Sequence, residues 1–205
     1  HERPATRIRH AKECDSAPAP AARAGATFFR RQQQRAQAAE AVGVHHAKRN
    51  ELRDGLFHLC GQHSCFIDDL IETMVDANGA GLAANQVYEP IRITTIWVKD
   101  NPRYPYKPNV PLTILVNPEI EMLTDDTFVN YEGCLSVPNL RGEVKRVTHI
   151  RVRAWDREGN AIDREVKGLT AGTFQHEVDH LDGKLFVDRV FDTRSLCTWQ
   201  EFERH

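Results

Sequence analysis

Apolar residues recur along this chain with two periods, and the periods sort it into helices and strands. Ile67, Leu70, Ile71, Met74 and Val75 fall on one helical face. Ser64 is placed to cap the start of that helix, and Asn78-Gly79 to end it in a left-handed turn. Residues 91–98 form a β-branched run and predict a strand, as do residues 112–116. Residues 101–111 carry four prolines and predict a loop, and Asn117-Pro118 predicts a turn. Across residues 147–155, Ile150, Val152 and Ala154 point one way while His149, Arg151 and Arg153 point the other, the pattern of a half-buried strand. A turn at 156–160 returns the chain through residues 161–167 as a hairpin. A second helix is expected over residues 169–181, with Leu169, Phe174, Val178 and Leu181 apolar and Asp182-Gly183 at its end. Residues 184–190 read as a short terminal strand. This order predicts an α+β domain: mainly antiparallel strands around one central helix, with a second helix N-terminal to it.

Residues 1–50 carry no comparable stripe. They are rich in Ala and Pro over 16–26 and in Gln, Arg and Ala over 30–40, so they bury too little apolar surface to offset their ordering entropy. The segment reads as a basic, low-complexity, disordered extension, with a transit peptide as the alternative; His45 and His46 read as tail residues. The catalytic domain is expected over 51–205. Charge divides the same way. Residues 1–50 hold ten Lys/Arg against four Asp/Glu, whereas residues 51–205 hold seventeen against twenty-five. An acidic body argues against a broad nucleic-acid footprint, and no direct DNA binding is expected. No run of 18 apolar residues predicts a membrane helix. Five scattered cysteines make a poor disulfide framework and point to a reducing compartment, read as cytoplasm, or an organelle matrix if the extension is a transit peptide.

His176-Glu177-Val178-Asp179-His180 is an H-E-x-x-H sequence inside the second helix. Residues four apart share a helix face, so both imidazoles can reach one cation, with Glu177 beside it to take a proton from water. A catalytic zinc site uses three protein ligands. After His180 the G-x-x-H extension of many zinc peptidases is absent. Asp182 and Asp188 are candidates, but Asp182 reads as a helix-end residue. Cys134, in an irregular stretch upstream, is the better third ligand.

Three separated segments resemble the signature motifs of the peptide deformylase family: Gly79-Ala80-Gly81-Leu82-Ala83-Ala84-Asn85-Gln86, Glu132-Gly133-Cys134-Leu135-Ser136, and Gln175-His176-Glu177-Val178-Asp179-His180-Leu181-Asp182-Gly183. The resemblance runs from about Phe66 to the C-terminus. It departs at Asn85, where the family usually has Pro, which is expected to loosen the turn. It implies that Cys134, His176 and His180 hold one divalent metal ion, Fe2+ by family habit, with Zn2+, Ni2+ or Co2+ able to substitute. It implies that Glu177 moves the protons and that Gln86, by its side-chain amide, and Leu135, by its backbone N–H, stabilise the formyl oxygen. Gly81 and Gly133 would let an extended N-formylmethionyl nascent peptide approach the backbone, at a ribosome engaged transiently. The methionine pocket would draw on the first motif and on Thr173, with Gly172 leaving extra room. Arg141 and Arg146 read as a surface or structural ion pair. The competing readings are a generic H-E-x-x-H zinc peptidase, which needs no Cys134, and an inactive deformylase-like binding module.

Overall fold

Two helices lie on opposite faces of one antiparallel sheet, and the period-two pattern of its strands says why. The computed structural model describes residues 56–100 and 106–204; the basic extension and the start of the proline-rich loop lie outside them. Helix α1 spans Leu56–Asp76 and helix α2 spans Gly168–Leu181. The strands are β1 (Gly81–Ala83), β2 (Ile93–Val98), β3 (Val110–Met122), β4 (Thr127–Cys134), β5 (Val137–Val147), β6 (His149–Trp155), β7 (Ala161–Lys167) and β8 (Cys197–Thr198). Five of them form a sheet in the order β1-β2-β3-β6-β7, and three form a second sheet, β4-β5-β8. All the ladders are antiparallel, so the expected α+β architecture is the one observed. A third, four-residue helix α3 (Trp199–Phe202) closes the described chain.

On β2, Ile93 and Trp97 pack with α1, while Ile96 and Val98 pack with Phe174 of α2. On β3, Ile114 and Val116 face α1 and Leu115 faces α2. A strand covered on both faces reads as a continuous apolar run, which is what residues 91–98 show. On α1, Ile67, Leu70 and Met74 are buried, but Val75 is 46% exposed. It lies about 80° around the helix from Ile67, at the edge of the stripe, so the predicted face is narrower than five residues.

Both long helices end as their sequences predict. Asn78 has φ of 51°, the Gly79 N–H reaches the Met74 carbonyl and the Asn78 N–H reaches that of Val75, a Schellman closure. Gly183 does the same for α2 at φ of 71°, with bonds from Lys184 to Asp179 and from Gly183 to His180.

Four expectations need correction. Ser64 sits inside α1, not at its start, and its hydroxyl accepts from Arg157. Asn117-Pro118 is no chain reversal: β3 runs through it on a register shift between Val116 and Glu119, with Asn117 at φ of 50°. A bulge is where a strand tolerates proline. Residues 184–190 are not a strand. Phe186–Arg189 form a 3-10 turn, held where Asp188 accepts the Leu185 N–H at 2.8 Å, and only Val190 bridges to Val144. The stretch around Cys134 is not irregular: it ends β4, whose hairpin with β5 carries the second sheet.

Candidate metal centre

The β4–β5 ladder runs in register from Thr127 opposite Val147 to Glu132 opposite Gly142, then shifts before Cys134. Past that irregularity Cys134 pairs with Val137, and its side chain is turned toward α2. There its sulfur lies 3.1 Å from His180 Nε2, and His180 Nε2 lies 3.3 Å from His176 Nε2. The three ligand atoms all fall within 4.8 Å of one another. The thiolate and two imidazoles expected from the motifs thus converge, although Cys134 and His176 stand 42 positions apart in the chain. Neither Asp182 nor Asp188 belongs to this cluster: Asp182 pairs with Arg92 at 2.7 Å, and Asp188 holds its own 3-10 turn.

The charges favour the thiolate form of Cys134. Burial alone would raise the Cys134 thiol, but His180 and His176 outweigh it and hold the thiol well below its ordinary value. A soft thiolate with two imidazoles is a donor set for a transition-metal dication. His176 Nδ1 lies 2.8 Å from Glu132 Oε2. That bond fixes the ring and turns Nε2 to the centre, the usual outer support of a metal-bound histidine. Glu132 is gripped in turn by Arg146, at 2.7 and 2.8 Å, and Arg146 also reaches Asp179 at 2.5 Å. Arg189 completes the chain at Asp179, 2.6 Å away. Burial opposes the ionisation of Glu132, yet Arg146 and His176 hold it far below the usual carboxylate range. Arg146, expected at a surface or in a structural pair, is a buried structural pair. Arg141 is buried as well, its guanidinium stacked 4.0 Å over the Trp199 ring. Nothing in the motif pattern distinguished these buried arginines from exposed ones.

Gln86 stands on a 3-10 turn directly after β1 (Ala84–Val87). Its Oε1 accepts the Ala83 N–H at 2.8 Å, so its amide nitrogen is turned to the centre, 2.9 Å from Ser136 Oγ and 3.6 Å from Cys134 Sγ. Asn85 stands in this turn. Its amide donates to the His180 carbonyl and ties the turn to the end of α2. Leu135 lines the same cleft.

Glu177 is buried, and its Oε2 has no hydrogen-bond partner among the described residues. Burial pushes its carboxyl up, against the pull of His176 and His180. The absent Cβ of Gly81 is where this carboxyl lies: a methyl there would overlap the Glu177 carboxyl carbon and oxygen. The absent Cβ of Gly133 is taken by the Arg141 side chain, at 2.9 Å. Gly172 leaves less room than its sequence implies, because Phe128 stands 3.0 Å from the position of its Cβ. Gly81→Ala is expected to displace the Glu177 carboxyl. Metal content should stay unchanged while kcat/KM falls about 100-fold, the scale of an ångström-level misplacement.

Residues 61–195 match the family model described as polypeptide deformylase. Peptide deformylase 1 of Bordetella pertussis is 48% identical over 126 residues, covering 62% of this chain and 72% of the relative. Peptide deformylase 2 of a Nostoc species is 42% identical over 137 residues, covering 67% and 76%. Among solved structures, a class I type b peptide deformylase from Acinetobacter baumannii matches with a TM-score of 0.62 at 35% identity, over 72% of this chain and 90% of that one. A peptide deformylase from Synechococcus elongatus, solved with actinonin, matches with a TM-score of 0.63 at 33% identity, over 74% and 75%.

Proposed function

The chain belongs to the polypeptide deformylase family, and from that premise we propose how its residues divide the work. The protein is a metal-dependent hydrolase that removes the formyl group from the N-terminal formylmethionine of newly made proteins. One observation carries the assignment of roles: the sulfur of Cys134 meets the two Nε2 atoms of the H-E-x-x-H helix within 4.8 Å.

Cys134, His176 and His180 would hold the ion, which when bound supplies a Lewis acid and lowers the pKa of water. Glu177 is the proton carrier. It takes a proton from the attacking water and gives it to the departing amine, which would otherwise leave as an unstable anion. Two features support this: its burial raises its proton affinity, and it lines the cleft with its buried Oε2 making no hydrogen bond among the described residues. Gln86 and the Leu135 N–H receive the charge that builds on the formyl oxygen. Gln86 suits the task because its Oε1 is already anchored, which presets the amide donors. Gln86→Ala is expected to lower kcat by about 100- to 1,000-fold, measured as formate release, with folding retained.

Gly81 and Gly133 flank the cleft, where an extended N-formylmethionyl peptide would lie along β1, the terminal strand of its sheet. The native ion is proposed to be Fe2+, the same donor set accepting Zn2+, Ni2+ or Co2+. Metal analysis of anaerobically purified protein tests this. Residues 51–205 are proposed as the catalytic domain, after a basic extension over residues 1–50. The enzyme is proposed to work in the cytoplasm, or in an organelle matrix if that extension is a transit peptide. It would meet nascent chains in transient association with the ribosome, without membrane or DNA binding; no described helix is long and apolar enough to cross a membrane.

The test sets formyl-Met-Ala-Ser beside Met-Ala-Ser with the metal-reconstituted full chain. Formate release from the first, with the peptide bonds of both intact, is expected. Cleavage of the unformylated peptide would make the protein a general metallopeptidase. No turnover of either would make it a binding module.

A further inference from the structure

The last carbonyls of a helix have no partner inside it, and those of α2 are met by side chains from the connection between β1 and β2. Arg92 donates to the Leu181 carbonyl at 3.0 Å and to Asp182 at 2.7 Å. The His180 carbonyl accepts from the Gly183 N–H at 2.9 Å and from the side-chain amide of Asn85. Asn85 Oδ1 is buried with no hydrogen-bond partner among the described residues, so the bond to His180 is what holds this side chain.

That bond joins two parts of the site. At one end is the backbone of His180, one of the three converging ligands. At the other is the residue before Gln86 on the 3-10 turn Ala84–Val87. Ala83, at the start of the turn, also packs on Leu181, both fully buried. Gln86 is anchored within its own turn, its Oε1 accepting the Ala83 N–H, while its amide nitrogen reaches across to Ser136 and Cys134. Where that amide stands relative to the ligands therefore follows where the turn is docked on α2. Proline, usual in the family at this position, has no side-chain donor and could not make the Asn85 bond.

We propose that Asn85 is a positioning residue: it docks the turn bearing Gln86 on the end of the ligand helix and so sets the reach of the Gln86 amide to the formyl oxygen. This rests on the deformylase reading above. A donor stabilises developing charge only when it is preorganised at the place where the charge appears, and an ångström of misplacement costs as much as about 100-fold. Because the charge develops in the transition state, the loss falls on kcat and not on KM.

The experiment is a double-mutant cycle on the metal-reconstituted full chain with formyl-Met-Ala-Ser. Asn85→Ala is expected to lower kcat about 10-fold, with KM within about twofold of the parent and metal content unchanged. In the Gln86→Ala background the same change should alter kcat by less than about twofold, because the group it positions is gone. Asn85→Asp keeps the shape without the amide donor and should lose at least as much as Asn85→Ala. An equal loss in both backgrounds, an unaffected kcat in either single variant, or loss of fold or metal in both variants overturns the assignment. Absence of formate release by the parent enzyme overturns the deformylase reading itself, a separate result.

Discussion

Glu177→Ala is expected to lower deformylation by about 10,000-fold, the upper end of what a positioned acid–base group contributes, while the chain keeps its metal. The size follows from the surroundings of the carboxyl. It is buried against Gly81, beside but not among the three converging ligand atoms. Among the described residues the other carboxylate lining the cleft is Glu132, which is committed to Arg146 and His176. The substitution should not unfold the protein. Glu177 Oε2 has no hydrogen-bond partner among the described residues, so removing the group relieves a desolvated polar atom instead of orphaning one. Glu177→Gln keeps the shape and loses the proton carrier, and should be as inactive. Formate release and metal content, measured on the same preparation, check this. An active, metal-loaded Glu177→Ala enzyme would remove Glu177 from the mechanism.

Cys134→Ala is expected to strip the metal and with it all measurable turnover. Two imidazoles remain, with Nε2 atoms 3.3 Å apart, but a catalytic site needs three protein ligands. The loss is chemical more than structural: Cys134 packs with Val144 and Phe186, and alanine keeps most of that apolar contact. Metal content below about a tenth of an ion per chain, with unchanged secondary structure, is the expected pair of readings; a three-ligand site loses most of its affinity with one ligand. The contrast with Glu177→Ala matters, because only one of the two variants should lose its ion.

Helix α2 and its ligands were legible because two signals coincide there, the 3.6-residue apolar period and the four-residue spacing of the histidines. Cys134 was nameable as a ligand, but its setting was not. Strand β4 carries Asn130, Glu132 and Gly133 on the part that builds the site, so it lacks the alternation by which strands are read. The outer shell was hidden for another reason. Glu132, Arg146, Asp179 and Arg189 come from four separate elements, and charge type alone does not tell a buried arginine from a solvated one. Asp179 occupies an x position of H-E-x-x-H, where its pairing with Arg146 and Arg189 leaves no trace in the spacing. Asn117-Pro118 and residues 184–190 misled because local propensity lost to pairing in one case and to a side-chain bond in the other.

X-ray absorption at the metal edge of the zinc-reconstituted protein bears most directly on all of this. One sulfur at about 2.3 Å and two imidazole nitrogens at about 2.0–2.1 Å are predicted. A first shell of nitrogen and oxygen alone, with no sulfur, would contradict it.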